Sequence, residues 1–235
     1  MKYLIKLIKS LKEIIIITIL EYIVLLLPSF IYYSITKGNI EDFILNYGSI
    51  ILIIFDILLI IYLITNYKRK ESKINKNSYL PLILTGIFLA TFLNMLIFKL
   101  TTQKEVITIS FILSLVASSF IGPIMEELMF RYIFLNKLLT FNTKKISILI
   151  NLIVFALFHS GLTTMIYAFI LGLFLNYVYL KYQNIKASII LHISANLIVS
   201  FLTGYNPYIL LISLIGLIIS ILLLKKDGKN YEKVF

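Results

Sequence analysis

Two adjacent acids and one arginine interrupt a long apolar stretch of the chain. Residues 122–131 read Gly-Pro-Ile-Met-Glu-Glu-Leu-Met-Phe-Arg, which places the acids at Glu126 and Glu127 and the base at Arg131. An ionisable side chain inside a bilayer costs at least about 2.5–3.5 kcal/mol on insertion scales, so three together require a role. On a helix, Glu127 and Arg131 share a face in the order that favours an ion pair. Glu126 is rotated by about 100° from that face, which predicts that its carboxylate is the one used for chemistry.

The two histidines of the chain both fall in apolar runs. His159 closes the segment Phe155-Ala-Leu-Phe-His159, and His192 opens His192-Ile-Ser-Ala-Asn196. His192 and Asn196 are four residues apart and therefore share a helix face. A single intramembrane histidine is usually a helix–helix contact. Two imidazoles together with an amide and the acids upstream predict one shared site instead.

Such a set of side chains can activate water in two ways. Glu126 beside neutral imidazoles can take a proton from water as a general base. Glu126, His159 and His192 are also candidate ligands for Zn²⁺, which leaves one coordination position open to water. Either arrangement produces a hydroxide that can attack a peptide carbonyl, and Asn196 can donate a hydrogen bond to the oxyanion that forms. The spacing is not His-Glu-x-x-His, so the helix of the common soluble zinc proteases is absent.

The composition predicts that membrane helices position these residues. The chain has 235 residues, of which 60% are hydrophobic and 14% charged, whereas soluble domains average about 45–50% apolar and 25% charged residues. The absence of cysteine excludes disulfides, thiolate metal sites and a cysteine nucleophile. The net charge of +11 is compatible with nucleic-acid binding. However, lysine and arginine cluster between apolar runs, as topology signals do, so we predict a lipid bilayer and no nucleic acid as partner.

Eight apolar runs predict about eight transmembrane helices. The runs cover residues 14–33, 49–67, 80–98, 106–135, 146–160, 162–180, 187–203 and 208–224. A span needs about 20 residues, so 146–160 is short. With the N-terminus inside, the outer segments hold only Lys37, Lys99 and Lys104 as basic residues, and Arg131 is intramembrane. This bias predicts both termini in the cytoplasm. The expected fold is an all-α, polytopic helix bundle. Its expected location is the cell membrane, namely a bacterial inner or plasma membrane.

The motifs divide the chain into three predicted domains. Residues 1–105 supply three transmembrane helices without a motif, residues 106–203 hold the candidate site, and residues 204–235 form the last helix and a basic cytoplasmic tail. An outer loop is expected at 36–48. Glu21 and Asp56 lie in the first two runs, outside any motif, and are interpreted mainly as interhelical hydrogen-bond partners.

The three motifs resemble those of the CPBP intramembrane proteases, the CAAX-processing and bacteriocin-processing group also called the Abi or Rce1-like family. The family pattern is Glu-Glu-x-x-x-Arg, Phe-x-x-x-His and His-x-x-x-Asn or His-x-x-x-Asp. It stands here as Glu126-Glu127-x-x-x-Arg131, Phe155-x-x-x-His159 and His192-x-x-x-Asn196. The resemblance covers about residues 110–200. It implies an eight-helix intramembrane endopeptidase whose site opens toward the cytoplasm.

The resemblance also implies roles for single residues. Glu126 would activate water with His159, while His192 and Asn196 would bind the oxyanion. Glu127 belongs to the same catalytic set, and Arg131 and Phe155 support it. A Zn²⁺ ion held by Glu126, His159 and His192 and a metal-free glutamate mechanism both fit these residues. No other cofactor is expected.

The substrate implied for a bacterial relative is a peptide or membrane-protein precursor, whereas eukaryotic relatives cut prenylated C-terminal Cys-a-a-X proteins. The alternative function is a non-catalytic bacteriocin self-immunity or interaction protein on the same scaffold. That alternative predicts that a Glu126→Gln change leaves the phenotype intact.

Overall fold

A computed structural model describes residues 2–97, 108–202 and 204–227 of the chain. These residues form helices and connecting turns and contain no β-strand, which confirms the predicted all-α fold. Eight helices occur in the described ranges. They are α1 (Lys2–Thr36), α2 (Ile40–Asn66), α3 (Tyr79–Ile97), α4 (Ile109–Leu139), α5 (Lys144–Leu157), α6 (Leu162–Tyr182), α7 (Ile185–Val199) and α8 (Pro207–Asp227).

Six of these eight helices are long and apolar enough to cross a membrane, namely α1–α4, α6 and α8. The other two, α5 and α7, have 14 and 15 residues. At 1.5 Å per residue they are about 21 and 23 Å long, less than the hydrocarbon core of about 30 Å. The polytopic bundle is therefore confirmed, with two of its helices shorter than a span. The cytoplasmic location of both termini stays a prediction, and Lys99, Lys104 and the tail at 228–235 lie outside the described residues.

The second helix begins earlier than the sequence analysis predicted. The expected outer loop at 36–48 is wrong, because α2 starts at Ile40 and leaves only residues 37–39 between the helices. The Asn39 side chain accepts a hydrogen bond of 2.8 Å from the backbone N–H of Glu41 and so caps the helix. Glu41 and Asp42 lie in the first turn, where their charge complements the helix dipole. The polar residues that were interpreted as loop are helix-start signals.

The described residues divide into two compact units. Unit 1 draws on Met1–Lys68 and Glu105–Phe141 and contains α1, α2 and α4. Unit 2 draws on Arg69–Lys104 and Asn142–Phe235 and contains α3 and α5–α8. The predicted domain boundaries at 105/106 and 203/204 involve residues outside the described ranges, so that division stays a prediction.

In unit 1, α1 packs against α2 and α4, and α2 packs against α4. The partly exposed carboxylate of Glu13 in α1 links the ends of all three helices. It accepts a hydrogen bond of 2.5 Å from the Tyr67 hydroxyl, which follows α2, and it pairs with Lys137 near the end of α4. Burial raises the pKa of the Tyr67 hydroxyl and the bond to Glu13 raises it further. Tyr67 therefore stays protonated and donates at neutral pH.

In unit 2, α3 packs against α6, α7 and α8, and α5 pairs with α6. A close approach of two backbones occurs at Gly86 of α3. A Cβ atom added there would lie 2.4 Å from the carbonyl oxygen of Leu191 and 2.9 Å from the Cβ of Ser194, both in α7. Real Cβ atoms do not come so close to backbone, so glycine is required for this contact. It fixes α7 against α3 at the level of His192.

Candidate functional site

The acid pair lies in an irregular part of α4. Glu126 and Glu127 end a short α-helical segment, Gly122–Glu127, which is flanked by π-helical turns at Ala117–Ile121 and Leu128–Leu135. Such turns are rare and frequently occur at functional sites. Each one changes the angular register of the residues that follow. The faces of α4 therefore cannot be read from a uniform period of 3.6 residues.

The predicted ion pair between Glu127 and Arg131 is present. Arg131 Nη1 donates to Glu127 Oε1 over 3.0 Å, and both side chains are 0% exposed. Breaking a buried ion pair by removal of one partner is strongly destabilising, because it leaves an uncompensated charge. The pair therefore fixes the backbone immediately after Glu126.

Glu126 is half-buried and has acidic neighbours that the sequence analysis did not connect with it. The carboxyl groups of Glu21 in α1 and Asp56 in α2 both lie within electrostatic range of Glu126. Asp56 is only 7% exposed. The signal in the sequence was the occurrence of acids in two apolar runs, but nothing in their spacing indicated the shared location. Unit 1 thus gathers one acid from each of its three helices.

In unit 2, the ring of Phe155 brings the two histidines together. Phe155 of α5 is fully buried, and its ring centroid lies 4.9 Å from that of His159 and 6.1 Å from that of His192. The interplanar angles are 69° and 78°, so both imidazoles meet the phenyl ring edge-on. This geometry is favourable for aromatic pairs. Phe155 therefore packs directly on His159, whereas the roles of the two histidines in a reaction stay predictions.

His159 lies in the turn after α5 and not in a helix. The predicted run 146–160 is wrong at its end, because α5 stops at Leu157. His159 Nδ1 is 2.9 Å from the carbonyl oxygen of Phe155. A carbonyl oxygen can only accept, so Nδ1 carries the proton of this bond and neutral His159 has its lone pair on Nε2. That tautomer suits the ring either to accept a proton or to bind a metal ion.

His192 and Asn196 lie on consecutive turns of α7, as predicted. His192 is 2% exposed and Asn196 is half-buried. The helix begins with Asn184 as its cap, whose side chain accepts a 2.8 Å hydrogen bond from the N–H of Lys186. The glycine contact from α3 meets the same stretch of α7. Side chains at this level are therefore positioned by close helix packing.

An apolar groove lies between α5 and α6, beside the turn that contains His159. Its volume is about 290 Å³, and Leu157, Met165 and Phe169 are among the residues that line it. It presents almost no polar surface. The groove can therefore take a hydrocarbon group near the histidine turn.

The zinc ligand set stays a prediction, because Glu126 belongs to unit 1 and His159 and His192 belong to unit 2. Within each unit, the described residues contain no group of three His, Cys, Asp or Glu side chains that could hold a metal ion. The donor chemistry does fit zinc. A metal-binding histidine commonly donates its second ring N–H to a carbonyl, as His159 does to Phe155.

Comparison with known families identifies the central part of the chain. Residues 108–198 match the family described as type II CAAX prenyl endopeptidase Rce1-like, which confirms the predicted resemblance. The matched range runs from the residue before α4 into α7 and includes all seven candidate residues. Comparisons with curated proteins and with solved structures gave no match. With six helices of spanning length among its described residues, the chain is a multi-pass membrane protein that carries an Rce1-like segment.

Proposed function

Proceeding from this Rce1-like segment, we propose that the chain is an intramembrane endopeptidase that hydrolyses a peptide bond in a peptide or membrane-protein precursor. One observation carries the proposal. The segment that matches the endopeptidase family contains Glu126, His159 and His192, and the two histidines meet at one buried phenylalanine ring. The match favours this function over the non-catalytic alternative.

In the proposed reaction, Glu126 and His159 activate a water molecule. Glu126 takes a proton from the water. The water oxygen forms a bond to the carbonyl carbon of the substrate while the π electron pair of the C=O bond moves to the carbonyl oxygen. His192 and Asn196 donate hydrogen bonds to this oxyanion; the loss of one such donor costs about 2.7–4 kcal/mol in the best-studied case. The C–N bond then breaks, and the proton held by Glu126 passes to the leaving amine.

Three residues position this chemistry without touching the reacting atoms. The buried pair of Glu127 and Arg131 anchors the π-helical turn that follows Glu126. Phe155 orients both imidazoles through edge-on ring contacts, and its backbone carbonyl also orients His159. These contacts limit the rotamers of His159 and His192.

A zinc ion is compatible with the same residues. Glu126, His159 and His192 would hold it, and the chemistry that zinc supplies is a bound water with a pKa near 7. With the ion bound, the lone pairs of Glu126 and His159 would be used for coordination, so the proton transfer assigned to Glu126 belongs to the metal-free version. Zinc content therefore distinguishes two versions of one function.

The apolar groove favours a substrate that has a hydrophobic side chain next to the cleaved bond. It lies beside the His159 turn, so a residue next to the cleaved bond can place its side chain between α5 and α6. A substrate embedded in the bilayer offers such side chains. The proposed location of the reaction is the cell membrane, with access from the cytoplasm.

The direct test is hydrolysis of a fluorogenic library of apolar peptides by the purified chain and by a Glu126→Gln variant. Loss of a general base costs about 10²–10⁴-fold in rate, so the variant is expected to fall by at least about 100-fold. Glu41→Gln, at an exposed acid in the first turn of α2, is the matched control and is expected to keep the wild-type rate. Wild-type hydrolysis by Glu126→Gln would contradict the proposal. Zinc analysis of the same samples separates the two versions.

A further inference from the structure

The loop before α3, residues 69–75, is held in place by hydrogen bonds to its backbone and to one of its side chains. The backbone N–H of Ser72 donates to the carbonyl of Gln183 at 3.1 Å, and Asn184 Nδ2 donates to the carbonyl of Ser72 at 2.6 Å. The Glu71 carboxylate accepts a 3.0 Å hydrogen bond from the N–H of Ile185, the first residue of α7. The loop is therefore held in an ordered position against the turn between α6 and α7.

The last turn of α8 meets the same place. The Tyr182 hydroxyl at the end of α6 donates to Asp227 over 2.9 Å, and the Lys181 amine donates to the carbonyl of Leu224. The short 3₁₀ turn Lys76–Ser78 also contacts α8. The loop, the α6–α7 turn and the end of α8 thus form one surface, which we call the basic end.

The basic end carries a concentration of exposed positive charge. Its exposed cations are Arg69, Lys70, Lys73, Lys76, Lys186, Lys225 and Lys226. The two acids of this surface already have partners, since Glu71 accepts from the start of α7 and Asp227 accepts from Tyr182. Among the described residues, the surface therefore has a net positive charge and presents many N–H donors.

These cations lie where the apolar helices end. The spans α6 and α8 finish at Tyr182 and Asp227, so the side chains of the basic end lie at the level of the lipid headgroups. Long basic side chains extend from apolar helix ends into that layer. The charge bias of the sequence assigns this end to the cytoplasmic leaflet, whose anionic lipids attract basic clusters next to membrane helices.

We propose that the basic end of unit 2 binds the phosphate headgroups of anionic lipids. The bound lipid holds the loop against the start of α7, the helix that carries His192 and Asn196. A different explanation is that these cations only direct insertion of the chain, in which case they bind no lipid afterwards. A purified, already folded protein distinguishes the two explanations.

The test uses the full chain in neutral detergent, titrated with phosphatidylglycerol or phosphatidylcholine and followed by native mass spectrometry. The triple variant Lys70→Gln, Lys76→Gln and Lys186→Gln is expected to bind phosphatidylglycerol about 100-fold more weakly, since each basic residue near such a surface contributes about fivefold. The corresponding Lys→Arg triple variant retains binding. The matched control removes three exposed lysines of unit 1, Lys9, Lys12 and Lys37, and also retains it.

Thermal unfolding supplies a second measurement. Phosphatidylglycerol is expected to raise the unfolding temperature of the wild type, because a ligand of the folded state stabilises it, whereas phosphatidylcholine and inorganic phosphate are not. The single variant Lys186→Gln, expected to bind about fivefold more weakly, serves if the triple variant does not fold. Equal binding of both lipids, an equal response to inorganic phosphate, or equal losses in the unit 1 control would each overturn the proposal.

Discussion

Unit 1 buries ionisable side chains, of which Glu127 is paired with Arg131, whereas unit 2 holds neutral polar side chains in place by packing. Unit 1 carries Glu21, Asp56 and Glu126 on three different helices, and its fully buried Glu127 is neutralised by Arg131. In unit 2 the described helices contain no acid before Asp227, the last residue of α8. Their polar groups are imidazoles, amides and hydroxyls positioned by the Phe155 ring and by the Gly86 contact.

This difference follows from the cost of burial. A carboxylate in an apolar interior needs a counterion or a proton, whereas a neutral imidazole needs only hydrogen-bond and ring contacts. The stability of unit 1 should therefore be most sensitive to substitutions that change the charge of a buried side chain. Unit 2 should be most sensitive to changes of side-chain shape.

The largest effect on stability is expected from Arg131→Met. The change leaves Glu127 buried with its charge uncompensated, which costs about 3–5 kcal/mol. The double change Glu127→Met and Arg131→Met removes both charges and should recover most of the loss. Unfolding in detergent measures both, with Arg69→Met as an exposed control expected to cost less than about 0.5 kcal/mol. A single variant as stable as the wild type would show that charge pairing does not hold unit 1.

A smaller effect is expected from Gly86→Ala in unit 2. The added Cβ would meet the Leu191 carbonyl at 2.4 Å, and overpacking of this kind costs about 1–3 kcal/mol. Gly48→Ala in α2 is the matched control from unit 1, because its Cβ would meet only side-chain atoms, at 3.3 Å. There the better helix propensity of alanine should leave stability unchanged or raise it by up to about 1 kcal/mol. Equal unfolding temperatures for the two variants would show that the contact between Gly86 and α7 does not require a glycine.

A loss of stability no larger than that of Gly86→Ala is expected from Phe155→Leu. The variant keeps an apolar side chain but loses two edge-on ring contacts, which are worth about 0.5–1.5 kcal/mol each beyond buried area. The loss in the rate of hydrolysis, expressed as a free energy of activation, should exceed the loss in the free energy of unfolding, because both imidazoles lose their orientation. The ring-proton NMR signals of the two histidines should shift together. Unchanged signals would show that Phe155 does not position them, and Phe201→Leu, at an exposed site, is the control.

The sequence predicted the features that depend on short-range periodicity. Glu127 and Arg131 are four residues apart, and the resulting ion pair is present. The all-α fold followed from the apolar runs. The start of α2 was missed, although Asn39, Glu41 and Asp42 have the chemistry of a helix N-terminus. Polar residues are typical of both loops and helix starts, and only the capping geometry distinguishes the two.

Other features depend on long-range packing and could not be predicted from one sequence. The π-helical turns around Glu126 change the register of α4 without a distinctive residue to mark them. The proximity of Glu21 and Asp56 to Glu126 requires the arrangement of three helices. The position of His159 beyond the end of α5 depends on where the helix stops, which apolar composition does not determine.

The central claim is that the carboxylate of Glu126 and the imidazole of His159 activate the same water molecule. Peptide hydrolysis by Glu126→Gln, His159→Ala and the double variant tests it most directly. Residues that act as a unit have non-additive effects, so the double variant should be no slower than the slower single variant. A double variant whose loss equals the product of the two single losses, or a single variant with the wild-type rate, would contradict the account.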